Sequence, residues 1–402
     1  MESITRKIDY KTSVSDIIAV CCVFFAASVS FNDALNSIAL YMAIPLAFFC
    51  VFSKYRVIRD NTCMQFLIAV YIWVAICWPT AEDIELANRE MRAVLGAFIL
   101  CYVMGGLGRQ KKLRPFLYLI YCVYLASAWI YAKNNILSVI DFGSQRLNDE
   151  KLNANLLAYY TFYVTIVIYL LGDMLKNKLR IIFRVLLFGV VILSFITAIY
   201  TASRQVLMIQ VPLLCFLMWD RYMKKSTKSI IMLAFIIIGS IFLFIEYGEG
   251  IYDDSFLKQR SEVEVKDDAR AILVKDCIEL GLDAPILGHG PGNTVKLTSI
   301  NQFAHNTFLE LFVCTGFLGT ILFLLMILYF IKIQYTRWKL TRDSLFKTFC
   351  VFGIFWMFDQ FFYVFYTNLW LMSFLILVAT HSEQYYLENY NNKYYSSISS
   401  KL

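Results

Sequence analysis

Charge is scarce in this sequence. Asp, Glu, Lys and Arg make up 17% of its 402 residues, against about 25% in soluble domains. With 59% of the residues apolar, an ordinary solvated globular domain is excluded. Histidine is scarcer still, with three residues, and none of the eleven cysteines forms a Cys-x-x-Cys pair. That argues against a zinc site or a disulfide framework. Ten cysteines lie in apolar runs or at their ends: Cys21, Cys22, Cys50, Cys63, Cys77, Cys101, Cys122, Cys215, Cys314 and Cys350. Only Cys277 falls in a polar segment. All read as small apolar side chains packed between helices. Acids within the apolar runs are also few, which argues against a proton-coupled transporter. The clearest is Asp359; it reads either as a functional intramembrane acid or as an interhelical hydrogen-bonding group. No internal repeat is visible. Gly288, Gly290 and Gly292 follow no strand pattern, so a nucleotide-binding loop is a weak reading. A tight turn that lets backbone pass close to another element or a substrate fits better.

What the chain has is a series of apolar runs of about 17–25 residues, the length of a spanning helix and not of a barrel strand. They predict an all-α polytopic membrane protein with about twelve spans near 15–31, 35–52, 63–79, 91–107, 115–132, 155–172, 182–200, 205–219, 229–245, 308–331, 348–365 and 368–381. The first run lacks a small-residue cleavage site and is expected to stay as a helix. With the N-terminus inside, 25 of the 37 Lys and Arg fall on inner segments and 12 on outer ones, six of those 12 within one long loop. The positive-inside rule then places both termini in the cytoplasm. The net charge of +7 therefore reflects membrane topology rather than nucleic-acid binding. The outer segment Glu82–Glu90 is acidic, which agrees. The tail from Glu383 is rich in Tyr, Asn and Ser and is expected to fray.

The resulting domain plan is transmembrane helices over 1–245, an outward loop over 246–306, further spans over 307–382 and a cytoplasmic tail over 383–402. A polar loop of about sixty residues among otherwise short connections is functional more often than connective. Four positions at outward membrane junctions carry candidate chemistry. His305, at the return to the membrane, has the intrinsic pKa of a general base, or it is an interfacial histidine that caps the helix. Arg204, in the turn between spans seven and eight, has the fork that grips phosphate, or it sits among lipid headgroups. Arg270 opens an amphipathic helix whose apolar stripe is expected at Ala271, Val274, Cys277 and Ile278; it could equally be a solvated charge. Arg146 precedes Asn153-Ala154-Asn155, where the asparagines would hydrogen-bond a sugar or cap a helix.

The order Ser203-Arg204, then Arg270, then Pro285-Ile286-Leu287-Gly288-His289-Gly290, then His305-Asn306-Thr307-Phe308-Leu309-Glu310, then Thr315-Gly316-Phe317-Leu318-Gly319 resembles the O-antigen ligase/polymerase superfamily of bacterial polysaccharide assembly. Arg146 with Asn153-Ala154-Asn155 is similar to its Arg-then-Asn element. The resemblance implies a GT-C-like glycosyltransferase in the bacterial inner membrane. It would act on the periplasmic face without metal or cofactor, using undecaprenyl-pyrophosphate-linked oligosaccharide. It further implies that Arg204 and Arg270 hold the pyrophosphate and that His305 activates the acceptor hydroxyl. Arg146, Asn155 and Asn306 are then expected substrate contacts; His289, inside the glycine turn, matches no catalytic position of the family and is expected only as a substrate contact. The resemblance is closer to polymerases than to ligases. Besides membrane lipids, a chain-length regulator and a flippase of the same pathway are plausible partners. A flippase identity for the chain itself is the weaker alternative, since two pseudo-symmetric halves are absent from the sequence.

Overall fold

The computed structural model describes residues 12–135, 154–175, 180–201, 209–218, 269–367 and 369–391. Among the described residues the regular structure is entirely helical. The main helices are α1 (Val14–Val29), α2 (Asp33–Phe52), α3 (Thr62–Cys77), α4 (Ile84–Leu107), α5 (Arg114–Asn135), α6 (Ala154–Met174), α7 (Arg180–Thr201), α8 (Val211–Met218), α9 (Ala269–Asp283), α10 (Thr307–Thr341), α11 (Ser344–Asp359) and α12 (Leu369–Tyr386). Several starts are fixed by a side chain that accepts otherwise unpaired N–H groups: Asn61 for α3, Asp83 for α4, Asn306 for α10 and Asp343 for α11.

Six helices are long and apolar enough to cross a membrane: α2, α3, α4, α5, α10 and α11, the last carried on to Phe362 by a 3-10 turn. They mark a membrane protein and coincide with six of the twelve expected spans. Helices α1, α6 and α7 carry shorter apolar stretches at three more positions. Helix α12 forms where the last span is expected, and α8 lies within 205–219. The expected span at 229–245 lies outside the described residues. Two boundaries move. Helix α4 begins at Ile84 because Asp83 accepts the Glu85 and Leu86 N–H groups, each at 3.1 Å; most of the acidic segment 82–90 is therefore helix, not loop. Helix α10 runs to Thr341, about 50 Å at 1.5 Å per residue.

The chain divides into two compact units. One comprises Met1–Ala26, Ser37–Leu117 and Lys266–Leu402, the other Ala27–Asn36 and Tyr118–Val265. In the first, α10 packs against α3, α9 and α11, and α4 packs against α12 and the second half of α2. Its interior is aromatic: Phe330 meets Phe352, Phe352 meets Phe374, and Phe323 meets Trp356, with ring centroids 5.4–6.1 Å apart. On α10, Phe317, Leu318, Ile321, Leu325 and Leu328 are exposed while Phe323, Met326, Ile327 and Phe330 are buried. A helix apolar on both its packed and its exposed face suits lipid. In the second unit α6 packs on α7. Tyr160 donates to Tyr124 at 2.7 Å, and Gln210 donates to Thr165 and Ser194.

One end of the first unit gathers the basic residues. Arg109 pairs with Asp60 at 2.8 Å, Arg114 with Glu388 at 3.0 Å, Arg337 with Glu383 and Lys54 with Asp16. Residues 392–402 lie outside the described residues. As far as Asn391 the segment after Glu383 is helical rather than frayed as expected: α12 reaches Tyr386 and a π-turn continues to Asn391. Its side chains give the reason. Besides the two ion pairs, Tyr385 and Tyr390 both donate to Asp343, at 2.9 and 2.7 Å. The expected orientation of this end toward the cytoplasm rests on the charge count.

Candidate functional site

The opposite end of the same unit holds His305, Arg270 and the glycine turn. Helix α10 starts there. Asn306 adopts extended backbone and its Oδ1 accepts from the Phe308 and Leu309 N–H groups at 3.0 and 3.2 Å. The Asn306 side chain, expected to touch substrate, thus caps the helix. His305, the residue before it, is half-buried and left-handed, with φ 47°. Few residue types other than glycine adopt that region, although histidine is enriched there among them. Thr307 donates to the Gln360 side chain at 3.1 Å and lies 3.4 Å from the Tyr363 carbonyl. The start of α10 is therefore tied to the segment that follows α11.

Arg270 is the second residue of α9, and its guanidinium lies 5.8 Å from the centre of the Phe362 ring. Phe362 stands two residues after Gln360. The short segment Asp359–Tyr363 thus places an aromatic ring beside Arg270 and holds Thr307, two residues after His305. Asp359 itself is 1% exposed and closes α11. It is not free, and it stands at the site end of the bundle rather than at mid-helix.

The buried face of α9 differs from the expected stripe. Leu273, Cys277 and Gly281 face inward, while Val274 and Ile278 are exposed. The cause is the partner. Cys277 packs with Ala304 and Val313, flanked by Leu280 and Leu309, and a Cβ at Gly281 would strike the Phe312 ring. The small residues mark the face that meets α10. Burial pushes the Cys277 thiol up to about 12, as suits an inert packing residue. At the far side of α9, Asp276 accepts the Ser299 hydroxyl at 2.6 Å and its N–H at 2.8 Å. Those two bonds hold its carboxyl below the usual carboxylate range.

The glycine turn passes close to another element, as one of its two readings anticipated. Gly316 has φ 66° and ψ −166°, which breaks the hydrogen-bond ladder of α10. The carbonyls released by the kink are taken up: Val313 accepts the His289 N–H at 2.8 Å, Cys314 the Gly290 N–H at 3.1 Å, and Thr315 the Trp73 indole N–H at 2.9 Å. In return Phe317 donates to the Pro285 carbonyl at 2.9 Å. Gly288, Gly290 and Gly292 all have positive φ. A Cβ at Gly290 would lie 2.6 Å from the Ala81 backbone, and one at Gly292 would lie 2.9 Å from the Glu90 side chain. Asn293, fully buried, accepts the Asp83 N–H at 3.0 Å and so ties the turn to the start of α4. His289 places Nε2 3.0 Å from the Leu280 carbonyl at the end of α9; its observed contact is with the fold.

The structure therefore brings Arg270, His305, Asn306 and His289 to one end of one unit. Arg146 and Arg204 lie outside the described residues. Asn155 stands in the first turn of α6, and its side chain lies outside the description as well. Gln360, Phe362, Asn293 and Glu310 were not singled out from the sequence. Of these, Glu310 had a visible signal, as an acid in an otherwise apolar helical run. The others acquire roles only through contacts distant in sequence. Among the described residues no three His, Cys, Asp or Glu side chains gather as a metal site.

Residues 188–324 match the family model described as O-antigen ligase. The match spans the later part of α7, then α8, α9, the glycine turn, His305 and the kinked first part of α10. It covers about a third of the chain, and over those residues the chain is similar to that family. A search of curated proteins finds no match.

Proposed function

We propose that this membrane protein of the O-antigen ligase/polymerase superfamily is an O-antigen polymerase. It joins oligosaccharide repeat units carried on undecaprenyl pyrophosphate, on the periplasmic face of the bacterial inner membrane. The observation that carries the site assignment is that one short segment, Asp359–Tyr363, meets both Arg270, through Phe362 beside the guanidinium, and Thr307, two residues after His305, through Gln360.

The chemistry follows from the residue types. An acceptor hydroxyl oxygen attacks the anomeric carbon of the donor glycan. The bond from that carbon to the pyrophosphate oxygen breaks, and undecaprenyl pyrophosphate leaves. Negative charge grows on the leaving group, where Arg270 and Arg204 stabilise it with fixed positive charge. The hydroxyl proton passes to the His305 imidazole. A single displacement of this kind inverts the anomeric centre. Arg146 and Asn155 would contact the glycan. No metal or organic cofactor enters this scheme, and a flippase and a chain-length regulator would be its partners. The twelve-span topology with both termini cytoplasmic belongs to this reading.

The second reading is a ligase that transfers the finished chain to lipid A–core, favoured by the description of the matched family. The two differ in acceptor, and deletion separates them. Loss of a polymerase leaves core bearing a single repeat unit on a lipopolysaccharide gel. Loss of a ligase leaves bare core with polymer retained on the carrier. A ladder unchanged by deletion defeats both. Complementation by both His305→Ala and Arg270→Ala at normal chain lengths would defeat the site assignment.

A further inference from the structure

We propose that Glu310 is a positioning residue for His305, acting through the backbone of Ala304. The inference rests on the assignment of His305 as the proton acceptor and adds what holds it in place. Glu310 is fully buried in the first turns of α10. Its Oε2 accepts the Ala304 N–H at 3.1 Å, and its Oε1 lies 3.8 Å from the Cys314 sulfur, which is itself 3.3 Å from the Thr294 hydroxyl. A buried carboxylate carries a desolvation cost that an apolar residue at the same position would avoid.

The backbone gives the carboxylate its use. His305 holds φ 47°, a conformation that is strained for a non-glycine residue and persists where its surroundings over-determine it. Both neighbours of His305 are fixed. Asn306 is held by the two cap bonds of α10. Ala304 is held by its methyl group in the Cys277–Val313 core and by its N–H on Glu310. The carboxylate reaches back six residues from inside the helix to a residue outside it, closing the loop end around His305. Without that acceptor the Ala304 N–H is buried and unsatisfied, and the Ala304 side of the left-handed residue is held by its methyl group alone.

The test uses the full chain in membranes with a synthetic pyrophosphate-linked lipid oligosaccharide as donor. Variants are Glu310→Ala, Glu310→Gln, His305→Ala and the double variant His305→Ala with Glu310→Ala. Glu310→Ala is expected to lower kcat by about ten- to a hundredfold with KM changed less than about threefold, since misplacing a reacting group by about 1 Å costs on that order. Glu310→Gln keeps an oxygen acceptor for the Ala304 N–H and is expected to restore most of the rate. The double variant is expected to be no slower than His305→Ala, because the two residues act through one group. If Glu310→Ala fails to reach the membrane, Glu310→Leu, apolar and of similar volume, replaces it. A wild-type rate for Glu310→Ala overturns the proposal while leaving the His305 assignment intact. So does a Glu310→Gln as slow as Glu310→Ala, which would point to carboxylate charge instead of backbone support. A double variant slower than His305→Ala also overturns it. A wild-type rate for His305→Ala defeats the assignment of His305, and the proposal with it, whatever Glu310 does.

Discussion

The Phe317 N–H donates to the carbonyl of Pro285 at 2.9 Å, replacing the helical partner that the kink at Gly316 removes. The glycine turn and the kink thus complete each other's hydrogen bonds. Gly316 lies in a backbone region open almost only to glycine, and a Cβ there would sit 2.5 Å from the Pro285 carbonyl oxygen. Gly316→Ala is expected to cost at least about 1–3 kcal/mol. Gly288→Ala, whose Cβ would meet the Cys314 and Thr315 backbone, should cost a similar amount. Thermal unfolding of the detergent-purified protein measures the loss. An unchanged midpoint for both variants would show that the clasp does not contribute to stability.

Asn306 allows capping to be separated from recognition. Asn306→Ala removes both cap bonds and is expected to destabilise by about 1 kcal/mol. Asp and Ser cap nearly as well as Asn. If Asn306→Asp and Asn306→Ser keep both stability and transferase activity, the side chain serves the helix. If they keep stability and lose activity, Asn306 also contacts substrate, as the sequence pattern implied.

The fold class was legible because apolar runs of spanning length are set by bilayer thickness, a strong local signal. Arg270 and His305 were candidates in the sequence because one opens a helix inside the polar insert and the other ends the insert. The contacts around them were not legible. Phe362 and Gln360 sit in an apolar run that reads as part of a span, and only the packing of α11 beside α10 brings them to Arg270 and Thr307. The stripe on α9 misled for a related reason. Hydrophobicity favoured Val274 and Ile278, which are exposed; close helix approach kept Cys277 of the expected stripe and added Gly281, and the small size of both is the signal. The tail beyond Glu383 looked polar enough to fray, but its Tyr and Glu side chains have partners on α5, α10 and at the start of α11 that no local pattern announces.

The pair Asp276–Ser299 makes part of the loop's attachment dependent on pH. The carboxyl is held below its ordinary value of 3.8, first by the Ser299 hydroxyl and then by its N–H. A depressed folded-state pKa contributes stability that is fully present above the unfolded value and is lost as pH falls through the folded value. Wild type should therefore unfold slightly above Asp276→Asn in temperature at pH 7, and the difference should vanish as pH is lowered well below 3.8. The pair is exposed, so the difference is small. A gap that persists unchanged at the lowest pH would mean that the ionised carboxylate is not its source.

The far end of the same unit offers a test of the tail. Arg114 and Arg337 are 2% and 7% exposed, so each guanidinium depends on its partners for charge compensation. Those partners include Glu388 and Glu383. Truncation after Ser382 removes both carboxylates together with Tyr385 and Tyr390, the two donors to Asp343. Truncation after Asn391 leaves every one of these contacts in place. Removing one partner of a buried ion pair costs about 3–5 kcal/mol, though the 25% and 38% exposure of the two glutamate side chains reduces the effect here. The shorter chain is expected to accumulate poorly in membranes and to unfold at lower temperature, while the longer one should match full length on both counts. Arg337→Met with Glu383→Leu replaces that pair by apolar groups and should recover much of the stability lost in Glu383→Ala, because the damage comes from the stranded charge. Equal midpoints for Glu383→Ala and wild type would show instead that water reaches Arg337 readily enough to solvate it.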